Sequence, residues 1–374
     1  MEVLIWGANH NNTLGLVRSL GEMNHIVYVL LFKDTINFVA FSRYVKKVFF
    51  ASHDDSIEAQ IISICKRLKN KPLLLCTSDE TAAYVNDHAE ELKAYCFFES
   101  GNDINKYRNK DVGNELAIRC GLQIPQTWVL QSKSAPVEGM QFPIILKANN
   151  STRGGKTFLQ KINDAGSLKT VLNIIPDDCY PIQLQKYIKK EYEMMLLGCS
   201  LAGGTVVHIP VAQRKFRFFP NEYNAGSFSH SVNPNNSIQL VSLQKKVSEY
   251  LKAIEYTGLF SAEFVYEKGV YYFLEINLRN DGTSYLSTKS GFNLPHLLCE
   301  FFEKGKTELI GDFSENFYMA NISDFGNVLN KRLSFWTWLK DVTRADCFSH
   351  YNRNDILPYF GFLLSFFIKK IKRL

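Results

Sequence analysis

Hydrophobic and polar positions fall into blocks whose period changes along the chain. Residues 2–6 form an apolar run closed by Gly7-Ala8-Asn9, and residues 13–20 follow helical spacing, so the chain opens as strand, loop and helix. Residues 25–32 and 44–50 read as further strands, 56–69 as an amphipathic helix and 73–76 as a fourth strand. Together they predict a small parallel sheet wrapped by helices. Open sheets of this kind take ligands at the carboxyl ends of their strands, which would put Asp79 and Glu80 in a cleft. A plain helix N-cap accounts for Ser78 and Asp79 equally well. The Gly-x-Asn loop lacks the G-x-G-x-x-G fingerprint, which argues against a nicotinamide cofactor.

The next blocks are more specific. NKDVGNELAIRCGLQIPQTW predicts a helix from about Asp111 closed by Gly121, then an extended segment at Pro125. FPIILK, residues 142–147, reads as a buried strand that delivers Lys147, and a buried ammonium must be paired or reach a ligand. NNSTRGGKT follows. Backbone N–H groups around Ser151, Gly154 and Gly155 would cradle phosphate oxygens while Arg153 and Lys156 offset their charge; an ordinary hairpin turn is the alternative. The loop does not fit the Walker A pattern. PIQLQKYI is another strand, and repeats of strand and turn lead to the basic QRKFRF with Arg214, Lys215 and Arg217. PNEYNAGSFSHSVNPNNS, with Ser227 and His230, reads as a solvated loop, and residues 240–256 as an amphipathic helix ending at Thr257-Gly258.

Two β-rich runs, LFSAEFVY and VYYFLEIN, then flank Glu267-Lys268-Gly269 and predict an antiparallel hairpin. Glu275 and Asn277 share a face, because side chains two apart on a strand point the same way. A three-residue loop brings Glu263 onto that face and a two-residue loop turns it away; the three-residue register is the expectation here. Carboxylates so close repel unless a divalent cation lies between them, and carboxylate and amide oxygens suit Mg²⁺. A half-polar surface hairpin is the plain alternative.

Composition narrows the picture further. At 374 residues, 46% hydrophobic and 21% charged, the chain is a globular protein of two or three domains. Its net charge of +6 is spread along the length, without a basic stripe interleaved with aromatics, so nucleic acid is not an expected partner. The eight cysteines are scattered with no C-x-x-C pair, and MEVLIWGANH lacks a leader pattern, which together predict reduced thiols in a cytoplasmic protein and no zinc site. The end, PYFGFLLSFFIKKIKRL, puts Ser365, Lys369, Lys372 and Arg373 on one helical face with aromatics and Leu elsewhere. This resembles an interfacial anchor peripheral to an anionic membrane; a buried terminal helix with a basic end is the alternative.

The order of these blocks resembles the ATP-grasp superfamily over residues 109–298. The family's two phosphate-binding lysines match Lys110 and Lys147, and its glycine-rich loop matches Ser151, Arg153, Gly154, Gly155 and Lys156. Its adenine-binding linker strand matches Gln185, Lys186 and Ile188, its ribose acid matches Glu191, and its metal set matches Glu263, Glu275 and Asn277. Arg279 follows in E-x-N-x-R. Two positions depart from the pattern: the strand commonly begins with Glu where this chain has Gln185, and Pro is common where it has Leu278. The resemblance implies an α/β and α+β architecture. Residues 1–105 would form a parallel-sheet pre-ATP-grasp domain, 106–190 and 191–310 the two ATP-grasp subdomains, and 311–374 a C-terminal helical tail.

It also implies a carboxylate–amine ligase that uses ATP with Mg²⁺ or Mn²⁺ through an acylphosphate, with Lys147 and Arg279 as catalytic groups. Arg214, Lys215, Arg217, His230 and Arg279 are the candidates for holding an anionic acceptor. The subset most resembled contains D-aspartate ligase and the carbamoyl-phosphate-synthase-like ATP-grasp proteins of polysaccharide clusters, whose tails are similar to FWTWLKD and NDILP here. That suggests small-molecule substrates, among them cell-envelope precursors, and leaves the oligomeric state open. A non-catalytic ATP-binding module on the same fold is the alternative.

Overall fold

The apolar runs at the start of the chain cover one another. Val45–Phe50, Ile26–Leu31, Glu2–Gly7, Leu73–Cys76 and Phe97–Phe98 lie side by side in that order as a parallel sheet. The computed structural model describes residues 1–52, 56–133, 139–149, 159–219 and 226–371. Parallel strands need helical crossovers, and the helix Asn11–Gly21 supplies one, burying Leu14, Leu16, Val17 and Leu20 against Val3, Ile5 and Val29. The helix Asp79–Asp87 follows the fourth strand and is capped by Ser78, whose hydroxyl accepts from the Thr81 N–H.

A four-stranded antiparallel sheet comes next, in the order Thr127–Leu130, Ile182–Lys186, Ile144–Ala148 and Gln160–Ile162. Ile144, Leu146, Ile182 and Leu184 pack on Leu168 and Leu172 of the helix Ala165–Ile174. The alternate residues of the same strands, Lys147, Gln183 and Gln185, therefore face the other way.

The largest sheet has seven strands, ordered Val270–Asn277, Gly258–Glu267, Tyr192–Leu201, Val206–Phe218, Gly226–Val232, Phe317–Met319 and Cys347–Phe348. Met194, Leu196 and Phe264 cover the helix Ile238–Ala253 on one face. Met195, Leu197 and Cys199 on the other face join the core of the first sheet. Residues 226–232, expected as a solvated loop, are a strand in which Ser227, Phe228, Ser229 and Ser231 are buried. Their partner Phe317–Met319 comes from the C-terminal extension, so the tail is helical but also adds two strands to this sheet.

The extension holds on through buried charge. The Arg18 Nε–H donates to Asp355 Oδ2 at 3.0 Å, and the two side chains are 0% and 1% exposed. The Ser42 hydroxyl and the Arg43 backbone N–H donate to the same carboxylate. The final helix, Leu357–Ile371, then lies on the turn Phe38–Phe41, with Phe362 against Phe38 and stacked on His350. Ser365, expected on the polar face of this helix, is buried. Among the described residues no helix is long and apolar enough to cross a membrane.

Candidate active site

The hairpin closes with a two-residue loop. Glu267 pairs with Val270, and Lys268 and Gly269 both take positive φ, 47° and 85°, the geometry of a tight primed turn. The expected three-residue loop is thus corrected, and by itself the shorter loop would turn Glu263 away from Glu275. A β-bulge restores the register: Phe264 pairs with Phe273 but Glu263 pairs with Glu275, leaving Leu274 as the extra residue. Ser261 pairs with Asn277. The two carboxylates and the amide consequently share one face.

Residues opposite one another on adjacent strands share a face, and this sorts the rest of the sheet. Glu263 pairs with Met195 and Met195 with Gln213, while Val265 pairs with Glu193 and Glu193 with Lys215. Lys215 therefore lies on the carboxylate face. Arg214 pairs with Met194 and His230, so both belong to the opposite face. Arg214 lies over the Tyr192 ring, and His230 Nδ1 pairs with Glu315 at 2.8 Å. Arg217 is engaged elsewhere: its guanidinium donates to Asp324 at 2.9 and 2.7 Å and to Asp341 at 2.6 Å, tying down the C-terminal extension. Of the residues expected to hold an acceptor, only Lys215 and Arg279 approach the carboxylates.

The lysines arrive from the second sheet and from the helix Lys110–Arg119. The Lys110 ammonium reaches Glu275 Oε2 at 2.7 Å. Its backbone N–H donates to the Asn149 carbonyl, and the Asp111 N–H to the Asn149 side chain, so this buried Asn joins the helix start to the end of the Lys147 strand. Lys147 is 8% exposed and donates to Gln185 Oε1 at 3.2 Å. Arg279 is held by Asp79, with Nε and Nη2 on the two carboxylate oxygens at 3.1 and 3.0 Å, and Arg108 donates to the same carboxylate. The Arg279 Nη2 also reaches Asn277 Oδ1 at 3.1 Å.

Known proteins share this arrangement of sheets. No family model matches the sequence. The chain is 24% identical over 356 residues to D-aspartate ligase of Enterococcus faecium, covering 84% of this chain and 78% of the relative. It superposes on a biotin carboxylase–β,γ-ATP complex from Campylobacter jejuni with a TM-score of 0.65 at 14% identity, over 84% of this chain and 74% of that one. An L-amino acid ligase from Bacillus licheniformis superposes with a TM-score of 0.59 at 14% identity, over 84% and 79%. The chain has the ATP-grasp fold.

On this ATP-grasp scaffold the charges are tuned by one another. Burial, opposed by Lys215 and reinforced by repulsion from Glu275, pushes the Glu263 carboxyl well above the ordinary range. Its partner Glu275 is held below that range by the Lys110 ammonium. Burial works against the charge of Lys215, but Glu263, Glu193 and Asp281 outweigh it and hold the amine above the usual value. Burial and the nearby Lys110 lower Lys147 to about 7. Glu263, Glu275 and Asn277 present only oxygen acceptors and one amide, a set that suits a hard divalent cation, and the raised Glu263 is a carboxylate in want of positive charge.

The remaining expected residues fall in several places. Gln185 accepts from Lys147 and donates to the Thr127 hydroxyl, Ile188 is buried, and the Lys186 side chain is exposed while its N–H donates to the Gln126 carbonyl. Glu191 is exposed near the hairpin tip and accepts from the Lys268 N–H at 2.8 Å. Ser151, Arg153, Gly154, Gly155 and Lys156 lie outside the described residues. Asn149 and Gln183 stand outside the residues matched to the family's motifs. Gln183 is 0% exposed beside Lys147, and neither of its amide atoms has a hydrogen-bond partner among the described residues. Its position two residues before Gln185 on the same strand was the available signal.

Proposed function

We propose that this protein is an ATP-dependent carboxylate–amine ligase. In the proposed reaction the γ-phosphoryl group passes to a carboxylate, an amine attacks the acylphosphate, and ADP, phosphate and a new carbon–nitrogen bond result. The observation that carries the reading is the convergence of Lys110, Lys147, Lys215 and Arg279 on the face that bears Glu263, Glu275 and Asn277. Phosphoryl transfer spreads charge over oxygens, and positioned cations supply most of its catalysis. Lys110 would exchange Glu275 for a phosphate, Lys147 would hold a second phosphate contact, and Lys215 would meet the transferring group beside Glu263. Arg279, fixed by Asp79, would orient the acceptor carboxylate. Mg²⁺ or Mn²⁺, when bound by Glu263, Glu275 and Asn277, would neutralise developing charge on the phosphate oxygens.

Gln185, Lys186 and Ile188 are proposed for adenine, Glu191 for ribose, and Ser151 to Lys156 for the phosphates. The likeness to D-aspartate ligase supports a small amino acid as substrate; a cell-envelope precursor and a cytoplasmic setting rest on the sequence resemblance alone. A coupled ADP-release assay across panels of amino acids and carboxylates tests the proposal. Release stimulated by one acid–amine pair is the expected result. ATP binding without stimulation by any pair would instead identify a nucleotide-binding module.

A further inference from the structure

We propose that the helix Leu357–Ile371 docks the protein on an anionic lipid surface. The helix is oriented with its small and polar residues inward: Pro358, Gly361 and Ser365 are buried, and a Cβ on Gly361 would meet the Phe41 ring at 2.6 Å. Outward it turns Leu357, Phe360, Leu364 and Phe367, which are 60%, 58%, 53% and 57% exposed. Their spacing of three, four and three residues makes one continuous stripe, flanked by the half-exposed Phe41. A surface helix of a soluble monomer places its apolar stripe against the core, so this stripe awaits a partner.

Charge selects the partner. Residues 356–374 contain no Asp or Glu and include Lys369, Lys370, Lys372 and Arg373. Arg43, Lys46 and Lys47 are exposed on and beside the strand Val45–Phe50, which adjoins the turn under the helix. An apolar stripe with basic ends fits the boundary between headgroups and acyl chains, to a depth of about 5–10 Å. Anionic headgroups offset this charge, which a second copy, basic in the same places, does not.

Co-sedimentation of the full chain with vesicles tests the assignment, comparing phosphatidylcholine alone with phosphatidylcholine containing phosphatidylglycerol. The intact protein should pellet with the anionic vesicles and less so as salt is raised. The double variant Leu364→Glu, Phe367→Glu should bind at least about tenfold more weakly. Both side chains are exposed, so its melting temperature should match that of the unaltered protein. Equal binding of the variant, or an unaltered protein that stays in the supernatant with both vesicle types, overturns the proposal. So does a concentration-dependent dimer that the same substitutions dissociate while vesicles remain unbound, which would make the stripe a self-association surface. None of these outcomes depends on the ligase reading.

Discussion

The hairpin of Gly258–Glu267 and Val270–Asn277 gathers carboxylates and amines under cover, whereas the helix Leu357–Ile371 turns Leu and Phe side chains outward. A fold gains by burying hydrocarbon and loses by burying charge, so each region gives up stability that a simpler sequence would keep. The difference lies in what completes them. In the hairpin, cations already stand beside the acids, Lys110 on Glu275 and Lys215 near Glu263, and the raised Glu263 calls for one more positive charge. On the helix the described residues leave the stripe uncovered. The first region meets most of its charges from within the protein; the second leaves an apolar stripe exposed among the described residues.

The strongest way to break this contrast is Glu275→Gln. It should lower ATP turnover by at least about 1000-fold, because the variant removes a carboxylate proposed to hold the divalent cation that offsets charge on the phosphate oxygens. Circular dichroism should show the fold retained, and full turnover would detach the hairpin from the chemistry. Next in size is Asp355→Ala, which strands Arg18 in the core and should cost about 3–5 kcal/mol in urea unfolding. A loss no larger than that of a surface pair, about 0–1 kcal/mol, would mean that the C-terminal extension is not held by buried charge.

Lys147 gives a pH signature. Its amine is lowered to about 7, so above that pH the free protein holds it mostly neutral, while phosphate oxygens favour the charged form. Metal-free ATP binding should therefore take up a proton above pH 7. Affinity should be level below pH 7 and fall by up to about tenfold per unit above it, the equivalent of about 1.4 kcal/mol. Titration calorimetry in two buffers of different ionisation enthalpy reads the proton directly, and Lys147→Met should reduce the uptake, what remains belonging to the raised Glu263. The smallest effect is that of Gln183→Leu. Removing two unpartnered buried polar atoms should stabilise the nucleotide-free protein by about 1 kcal/mol while weakening ATP binding. A destabilised variant would show that the amide serves the fold.

The hairpin itself was legible in the sequence, since Glu263, Glu275 and Asn277 stand on β-rich runs around a glycine. Its route to a common face was not. Leu274 looks like any strand residue, and only the pairing with Phe264 and Glu263 reveals it as the bulge that compensates for a two-residue loop. Arg214 and Lys215 could be known from sequence to face opposite ways, but which of them faces the acids depends on the partner strands. The strand Gly226–Val232 was hidden because its serines look solvated and its neighbour Phe317–Met319 lies far along the chain. The helical period of the C-terminal end could be read, whereas its inward face is set by contacts with Phe38, Phe41 and His350.

In the proposed reaction the facing carboxylates hold a divalent cation for the nucleotide. Equilibrium binding of ADP with and without Mg²⁺, to the unaltered protein and to the double variant Glu263→Gln, Glu275→Gln, tests this role. Mg²⁺ should tighten ADP binding by at least about tenfold in the unaltered protein and leave the double variant unchanged. An equal Mg²⁺ effect in both proteins would contradict it.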